Sequence, residues 1–382
     1  MRRDHRLSVL ATVVCAALAA SLPASAASFQ VVNLVTDNQA AHPAQITDPS
    51  LVNAWGLSYS AGGPFWVSAN GTGVSTVYTV NAATQVTAKS ALTVLFPGAG
   101  SVTGQVFNSA SASGAFNGDN FLFVSEDGRI SGWRSAVGGT AETLQLDSPN
   151  NVYKGSALAT VAGSTYLYAA NFHNAGIDVL KGTAAAPTLA GSFVDPALPT
   201  GYAPFNIQNL GGTLYVAYAK QDAAGQDEIA GAGLGYVDAF STQGQFLARI
   251  ASQGTLNAPW GLAIAPSSFG ALAGALLVGN FGDGRISAFD ASSHAFLGQI
   301  TDGNGAPLAI DGLWALTPGN GGSAGSSSLL YFTAGPDGET HGLLGVLTPV
   351  PETGTAALLA AGLVALVVRR RASARPTPAS PD

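Results

Sequence analysis

A period of about 51 residues runs through the middle of this 382-residue chain and limits its fold more than any other feature. Six segments open a short apolar strand on a small or turn-forming residue. They are Trp55-Gly56-Leu57-Ser58, Thr103-Gly104-Gln105-Val106, Lys154-Gly155-Ser156-Ala157, Phe205-Asn206-Ile207-Gln208, Trp260-Gly261-Leu262-Ala263 and Asp311-Gly312-Leu313-Trp314. A second strand rich in aromatic and branched residues follows each, such as Phe65-Trp66-Val67-Ser68 or Leu330-Tyr331-Phe332-Thr333. Next come a turn rich in Asn, Asp and Gly and a third strand. The element Asp-Gly-Arg-Ile-Ser at 127–131 recurs three periods later at 283–287. Fourth strands follow, as at 91–95 and 246–250.

Short strands at this spacing, separated by turn signals, predict an all-β fold. Four strands in each of six units predict a six-bladed β-propeller of four-stranded blades. The sixth unit has only three strands, and an orphan strand at 29–35 precedes the first. We expect that strand to complete the sixth blade and close the ring, hiding two sheet edges. Seven blades or a pair of β-sandwiches are the alternatives.

The two ends read as addresses. Arg2, Arg3 and Arg6, an apolar stretch at 7–22 and Ala24-Ser25-Ala26 predict a signal peptide over residues 1–26. Cys15, the single cysteine, lies inside it, so the mature chain has no thiol for a disulfide, a zinc site or a nucleophile. At the other end Val350, Pro351, Glu352, Thr353 and Gly354 lead into an apolar run at 355–368 and then Arg369, Arg370 and Arg371. This order predicts a transmembrane helix, short for a ~30 Å hydrocarbon core, with the arginines as a cytoplasmic membrane stop. A short disordered cytoplasmic tail is expected at 372–382.

Residues 350–371 resemble the PEP-CTERM signal of exosortase substrates, although that family usually has Pro where this chain has Thr353. The same five residues are one substitution from the Leu-Pro-x-Thr-Gly sortase signal. Either resemblance implies cleavage near the motif by an exosortase-type or sortase-type enzyme and transfer to a surface acceptor. The body, residues 27–349, resembles six-bladed propellers of the NHL and SMP-30/gluconolactonase type through its Trp-Gly-Leu strand openings and the turns after its second strands. It is more similar still to an uncharacterised group of bacterial propellers with PEP-CTERM tails. These motifs are structural and imply fold rather than activity.

Between Ala27 and Thr353 there are 8 basic and 20 acidic residues. Such a body repels nucleic acid and anionic lipid. In a propeller of this type the turns after the second strands share a face with the blade connections, which gathers their polar residues around the channel. The candidate ligand or metal face is Asn70, Glu126, Asp127, Asn171, His173, Asp227, Glu228, Asn280, Asp283, Asp337, Glu339 and His341. Carboxylates and amides of this kind suit Ca²⁺, and they are equally the residues that hairpin turns require. Trp55, Trp260 and Trp314 read as packing between blades rather than as a sugar-stacking platform. The chain has no His-Glu-x-x-His or Walker loop. The expected role is therefore a surface-anchored, non-enzymatic binding or structural module associated with extracellular polysaccharide or matrix. The alternatives are a divalent-metal-dependent hydrolase or lactonase, implied by the SMP-30 resemblance, and a protein-interaction platform.

Overall fold

Six sheets stand around a common axis in the computed structural model, which describes residues 28–350. Blade 1 is Ala54–Ser58, Phe65–Ala69, Val74–Val80 and Thr87–Leu95. Blade 2 is Val102–Phe107, Phe121–Ser125, Ile130–Trp133 and Glu142–Gln145. Blade 3 is Tyr153–Val161, Ser164–Asn171 and Gly176–Lys181. Blade 4 is Tyr202–Leu210, Thr213–Gln221, Tyr236–Ser241 and Phe246–Ser252, and blade 5 is Pro259–Ile264, Leu276–Asn280, Ile286–Phe289 and Phe296–Gln299. Each is an antiparallel meander with its first strand innermost.

Blade 6 closes the ring. Leu313–Pro318, Leu330–Ala334 and Leu343–Val350 are joined by Ser28–Thr36, which pairs antiparallel with Leu343–Val350 from Ser28 opposite Val350 to Thr36 opposite Leu343. The orphan strand thus takes the place the repeat assigns to it. A two-residue strand, Ile46–Thr47, adds a parallel edge and makes this sheet five-stranded. Among the described residues no helix is long and apolar enough to cross a membrane. The signal peptide, the sorting motif beyond Val350, the apolar run and the arginine stop lie outside the described residues.

Two expectations need correction. Blades are not uniformly four-stranded. After Gly176–Lys181 the chain carries Pro187, Pro196 and Pro199, which lack the donor a fourth strand would use. It docks instead on the next blade. Gly191 N donates to Gln243 O at 2.8 Å and Phe193 N to Gly244 O at 3.0 Å, while the Phe193 ring lies 5.4 Å from Tyr168 and 5.8 Å from Phe240. The sixth repeat also begins three residues later than its glycine suggests. Gly312 (φ 62°) is a turn residue packed on the Gly335 carbonyl, and the strand equivalent to Trp55-Gly56-Leu57 is Trp314-Ala315-Leu316.

Apolar side chains fill the gaps between blades as well as the axis. Trp66 of blade 1 stacks on Phe121 of blade 2 at 4.1 Å, and Val77, Val94 and Phe123 complete that interface. The axial cluster gathers Trp55, Phe172, Phe205, Trp260 and Trp314 from five blades.

Candidate functional site

The inner strand of every blade breaks register once, at the same place. The breaks fall between Ala54 and Leu57, Val102 and Gln105, Tyr153 and Gly155, Pro204 and Asn206, Pro259 and Gly261, and Leu313 and Leu316. A bulge re-aims the side chain it carries. Here it carries Trp55, Thr103, Lys154, Phe205, Trp260 and Trp314. The following residue is small in most blades because neighbouring inner strands nearly touch. A Cβ on Gly104 would lie 2.7 Å from the Gly155 Cα, and one on Gly155 would lie 2.8 Å from the Asn206 Cα.

The aromatic members form a plug. Trp314 stacks on Trp55 at 3.7 Å and on Phe281 at 4.0 Å, with Phe205 and Trp260 at 5.8 and 5.9 Å. Trp55, Trp260 and Trp314 are buried, so they pack the axis and offer no stacking face to solvent.

Lys154 occupies the same structural position with a charge. Its side chain is 1% exposed. The ammonium lies 2.6 Å from Glu126 Oε1 and 3.3 Å from Asp227 Oδ1, and over the Trp55 and Phe172 rings at 5.4 and 5.9 Å. Glu126 Oε2 accepts a 3.1 Å bond from Asn70 Nδ2. Asn53 Nδ2 donates to Glu339 Oε2 at 2.5 Å and to Asn70 Oδ1 at 3.3 Å, and Asn53 Oδ1 accepts from Trp314 Nε1 at 2.8 Å. Asn53 and Glu339 both sit in the left-handed region, at φ 47° and 68°. Strained backbone of this kind survives only where its surroundings hold it. Asp227 and Glu228 arrive on the long excursion of blade 4, whose short strand Glu228–Ile229 folds back on Lys220 and Gln221. Asp227 is 73% exposed, so the cluster opens to solvent on that side. A cavity of about 410 Å³ adjoins Glu126 there, lined also by Asp127, Asp147, Asn151 and Gln226.

Burial and charge oppose each other at this mouth. Desolvation works to lower the Lys154 pKa, but Glu126, Glu228 and Asp227 together outweigh it and hold the lysine above its ordinary value. Burial pushes Glu228 up to about 7, against the pull of Lys154. Burial likewise raises Glu339, with Asn53 holding it back. The mouth therefore offers carboxylate and amide groups to hydroxyls or amines.

Of the twelve residues singled out in the sequence, Asn70, Glu126, Asp227, Glu228 and Glu339 meet here. Lys154 and Asn53 complete the cluster and were not singled out. Lys154 reads as an ordinary strand residue until the bulge is known. Asn171 and Asn280 lie apart from this cluster. They end their strands facing the blade connections, where Asn171 Nδ2 reaches Asn151 and Asp178 and Asn280 Nδ2 reaches Thr255 O and Asp283. The next residues, Phe172 and Phe281, face the axis, as strand alternation requires. Asp127 and Asp283 each accept the backbone N–H two residues on, closing their own turns. His173 meets Gln226 at 3.3 Å. Asp337 pairs with His42 and His341 with Asp37, both at 2.8 Å, at the ring closure. Among the described residues no group of three or more His, Cys, Asp or Glu side chains is arranged to hold a metal ion.

No family model matches the chain. Two proteins of Acanthamoeba polyphaga mimivirus are similar to most of it. "Uncharacterized protein R648" is 34% identical over 322 residues, covering 81% of this chain and 76% of that protein. "Uncharacterized protein L690" is 31% identical over 352 residues, covering 85% of this chain and 87% of that one. Among solved structures, the PQQ-bound aldose sugar dehydrogenase of Streptomyces coelicolor covers 85% of this chain and 99% of its own at 14% identity and a TM-score of 0.47. The streptogramin B lyase structure covers 84% and 97% at 13% identity and a TM-score of 0.45. Likenesses this distant say nothing about activity.

Proposed function

The chain belongs to the same family as the mimivirus proteins R648 and L690, and from that premise we propose that it is an exported, surface-displayed binding propeller that grips a polysaccharide at the mouth of its channel. The observation that carries this reading is the cluster of Glu126, Asp227, Glu228 and Glu339 around the buried Lys154 ammonium, open to solvent beside a cavity of about 410 Å³. Carboxylates and amides fixed in this way hydrogen-bond sugar hydroxyls, and the charge around them favours amines. The acidic body repels uronic acids and sulfates. We therefore assign a glycan with free hydroxyl and amino groups rather than an acidic one. Export and display rest on the end signals in the sequence, with an exosortase-type enzyme as the processing partner.

Binding of chitosan oligosaccharide and of alginate to the full-length chain, with and without a chelator, tests the assignment. Chitosan should bind, alginate should not, the chelator should change nothing, and Glu126→Gln should weaken binding about tenfold, the worth of one charge-assisted hydrogen bond. Alginate binding, or chitosan binding indifferent to Glu126→Gln, overturns it. The intact mass of the protein recovered from the cell envelope tests the display. A carboxyl end at 350–354 is expected, and one at Asp382 overturns processing.

A further inference from the structure

The two faces of the ring carry charge very unequally. The turns between second and third strands, which surround the acidic mouth, hold eight carboxylates. The turns between first and second strands lie on the opposite face, because each blade is an antiparallel meander. They span 59–64, 108–120, 162–163, 211–212, 265–275 and 319–329. The one charged residue among them is Asp119, which is wholly buried. Arg134, just past the third strand of blade 2, is spent on Asp119 and Glu142 at 2.7 and 2.6 Å. A cavity of about 430 Å³ at this end of the axis is likewise lined by uncharged residues.

The rim of this face is apolar on one side. Each third strand ends here and each fourth strand begins here. At that junction blade 1 exposes Val86 (64%), blade 4 exposes Phe246 and Leu247 (the latter 55%), and blade 5 exposes Phe296 (50%) and Leu297. The turns themselves, 81–86, 242–245 and 290–295, contain only Asp290 and His294 as titratable groups. Asp290 is occupied by the backbone N–H and hydroxyl groups of Ser292 and Ser293. Exposed apolar residues scattered singly are ordinary, but these recur at one structural position. Blades 5 and 1 flank blade 6, and blade 4 is next to blade 5. At the same position blade 6 has Val350 paired with Ser28. The apolar junctions therefore straddle the point from which the chain continues toward its apolar run.

Chain length fixes what lies opposite them. Four residues, Pro351 to Gly354, separate Val350 from the run at 355–368. Fully extended they reach at most about 14 Å. With that run in a bilayer, this face stands no further from the membrane than that.

We propose that the rim formed by Val86, Phe246, Leu247, Phe296 and Leu297 seats the exported chain on the surface of the bilayer that takes up residues 355–368. This rests on the proposed export and display. Apolar side chains sink about 5–10 Å into the headgroup boundary, and the face around them brings little charge to desolvate. The acidic body disfavours anionic lipid, so the matching surface is zwitterionic. Seating holds the motif at 350–354 against the bilayer in one orientation for the processing enzyme.

Site-directed fluorescence on the full-length chain tests this. Val86→Cys, Leu247→Cys and Leu297→Cys are placed singly in a Cys15→Ala chain, with Asn150→Cys beside the acidic mouth as the control. Each is labelled with NBD and reconstituted into phosphatidylcholine vesicles carrying a headgroup nitroxide. The three rim labels should be blue-shifted and quenched by the nitroxide lipid, and the label at 150 should be neither. All four replaced side chains are exposed, so the variants should melt with the parent chain. Flotation with the vesicles reports the tail separately. A chain that floats with its rim labels no more quenched than the label at 150 overturns the seating and leaves display standing. A chain that does not float overturns the membrane reading of 355–368 and the seating with it. Rim labels that are blue-shifted but unquenched put protein rather than lipid over the rim and overturn the proposal as well.

Discussion

Lys154 shows how much one residue can alter a repeat. In blades 1, 4, 5 and 6 the bulge position holds an aromatic ring, and in blade 3 it holds an ammonium surrounded by carboxylates. Replacing it by methionine would leave those carboxylates facing one another in a partly dry site. Unfolding in urea should show Lys154→Met about 3–5 kcal/mol less stable at pH 8. The sign with pH follows from Glu228 and Glu339, whose pKa values are raised by burial. A raised folded value means that ionisation costs stability, a cost absent below the ordinary value of 4.5 and complete above about 7 for Glu228. Without Lys154 that cost grows, so the deficit should shrink from pH 8 to pH 5, and equal deficits at both would refute the coupling. The small residues beside the bulge make a second, sterile test. Gly155→Ala should lose about 1–3 kcal/mol because its Cβ would collide with Asn206. Gly139→Ala, with open space around it, should be nearly neutral.

Ring closure is the element on which the fold depends, and a pair of histidine contacts flanks it. His341 Nδ1 meets Asp37 just past Ser28–Thr36, and His42 Nε2 meets Asp337. The bond to Asp37 raises the His341 pKa above its ordinary 6.5. Its contribution is therefore complete below about 6.5 and fades as pH rises through the folded value. The unfolding midpoint should fall between pH 6 and pH 8 by more in the parent chain than in His341→Gln, and parallel profiles would remove His341 from the account. The closing strand was legible in the sequence because an apolar alternation without a partner at one end matched a missing strand at the other. The strand absent from blade 3 was not, since prolines at 187, 196 and 199 bar a ladder without saying where the chain goes instead. Nor was the sixth repeat's register, because Gly312 and the glycines beside the bulges look alike in sequence but serve a turn and a close approach respectively. Lys154 and Asn53, two of the seven residues of the cluster, escaped for a related reason. Lys154 meets Asp227 across 73 residues, and no local pattern records a contact that a bulge and a loop excursion create together.

At the scale of the whole molecule, the plug around Trp314 makes the axis two compartments of opposite character. One is acidic and amide-rich, and the other is lined by uncharged residues. The sixth blade pairs Val350 with Ser28 at its end. Deleting residues 358–371 should send the protein into the medium with its melting temperature unchanged, and an aggregated product would show that the tail belongs to the fold. The position of Val350 has a geometric consequence. The third strand of each blade leaves the acidic face, so Leu343–Val350 delivers the chain to the opposite end. Any tether continuing from Val350 starts there. A propeller held to a cell by that tether would stand with its acidic mouth toward the surroundings and its neutral cavity toward the envelope, sampling two different environments.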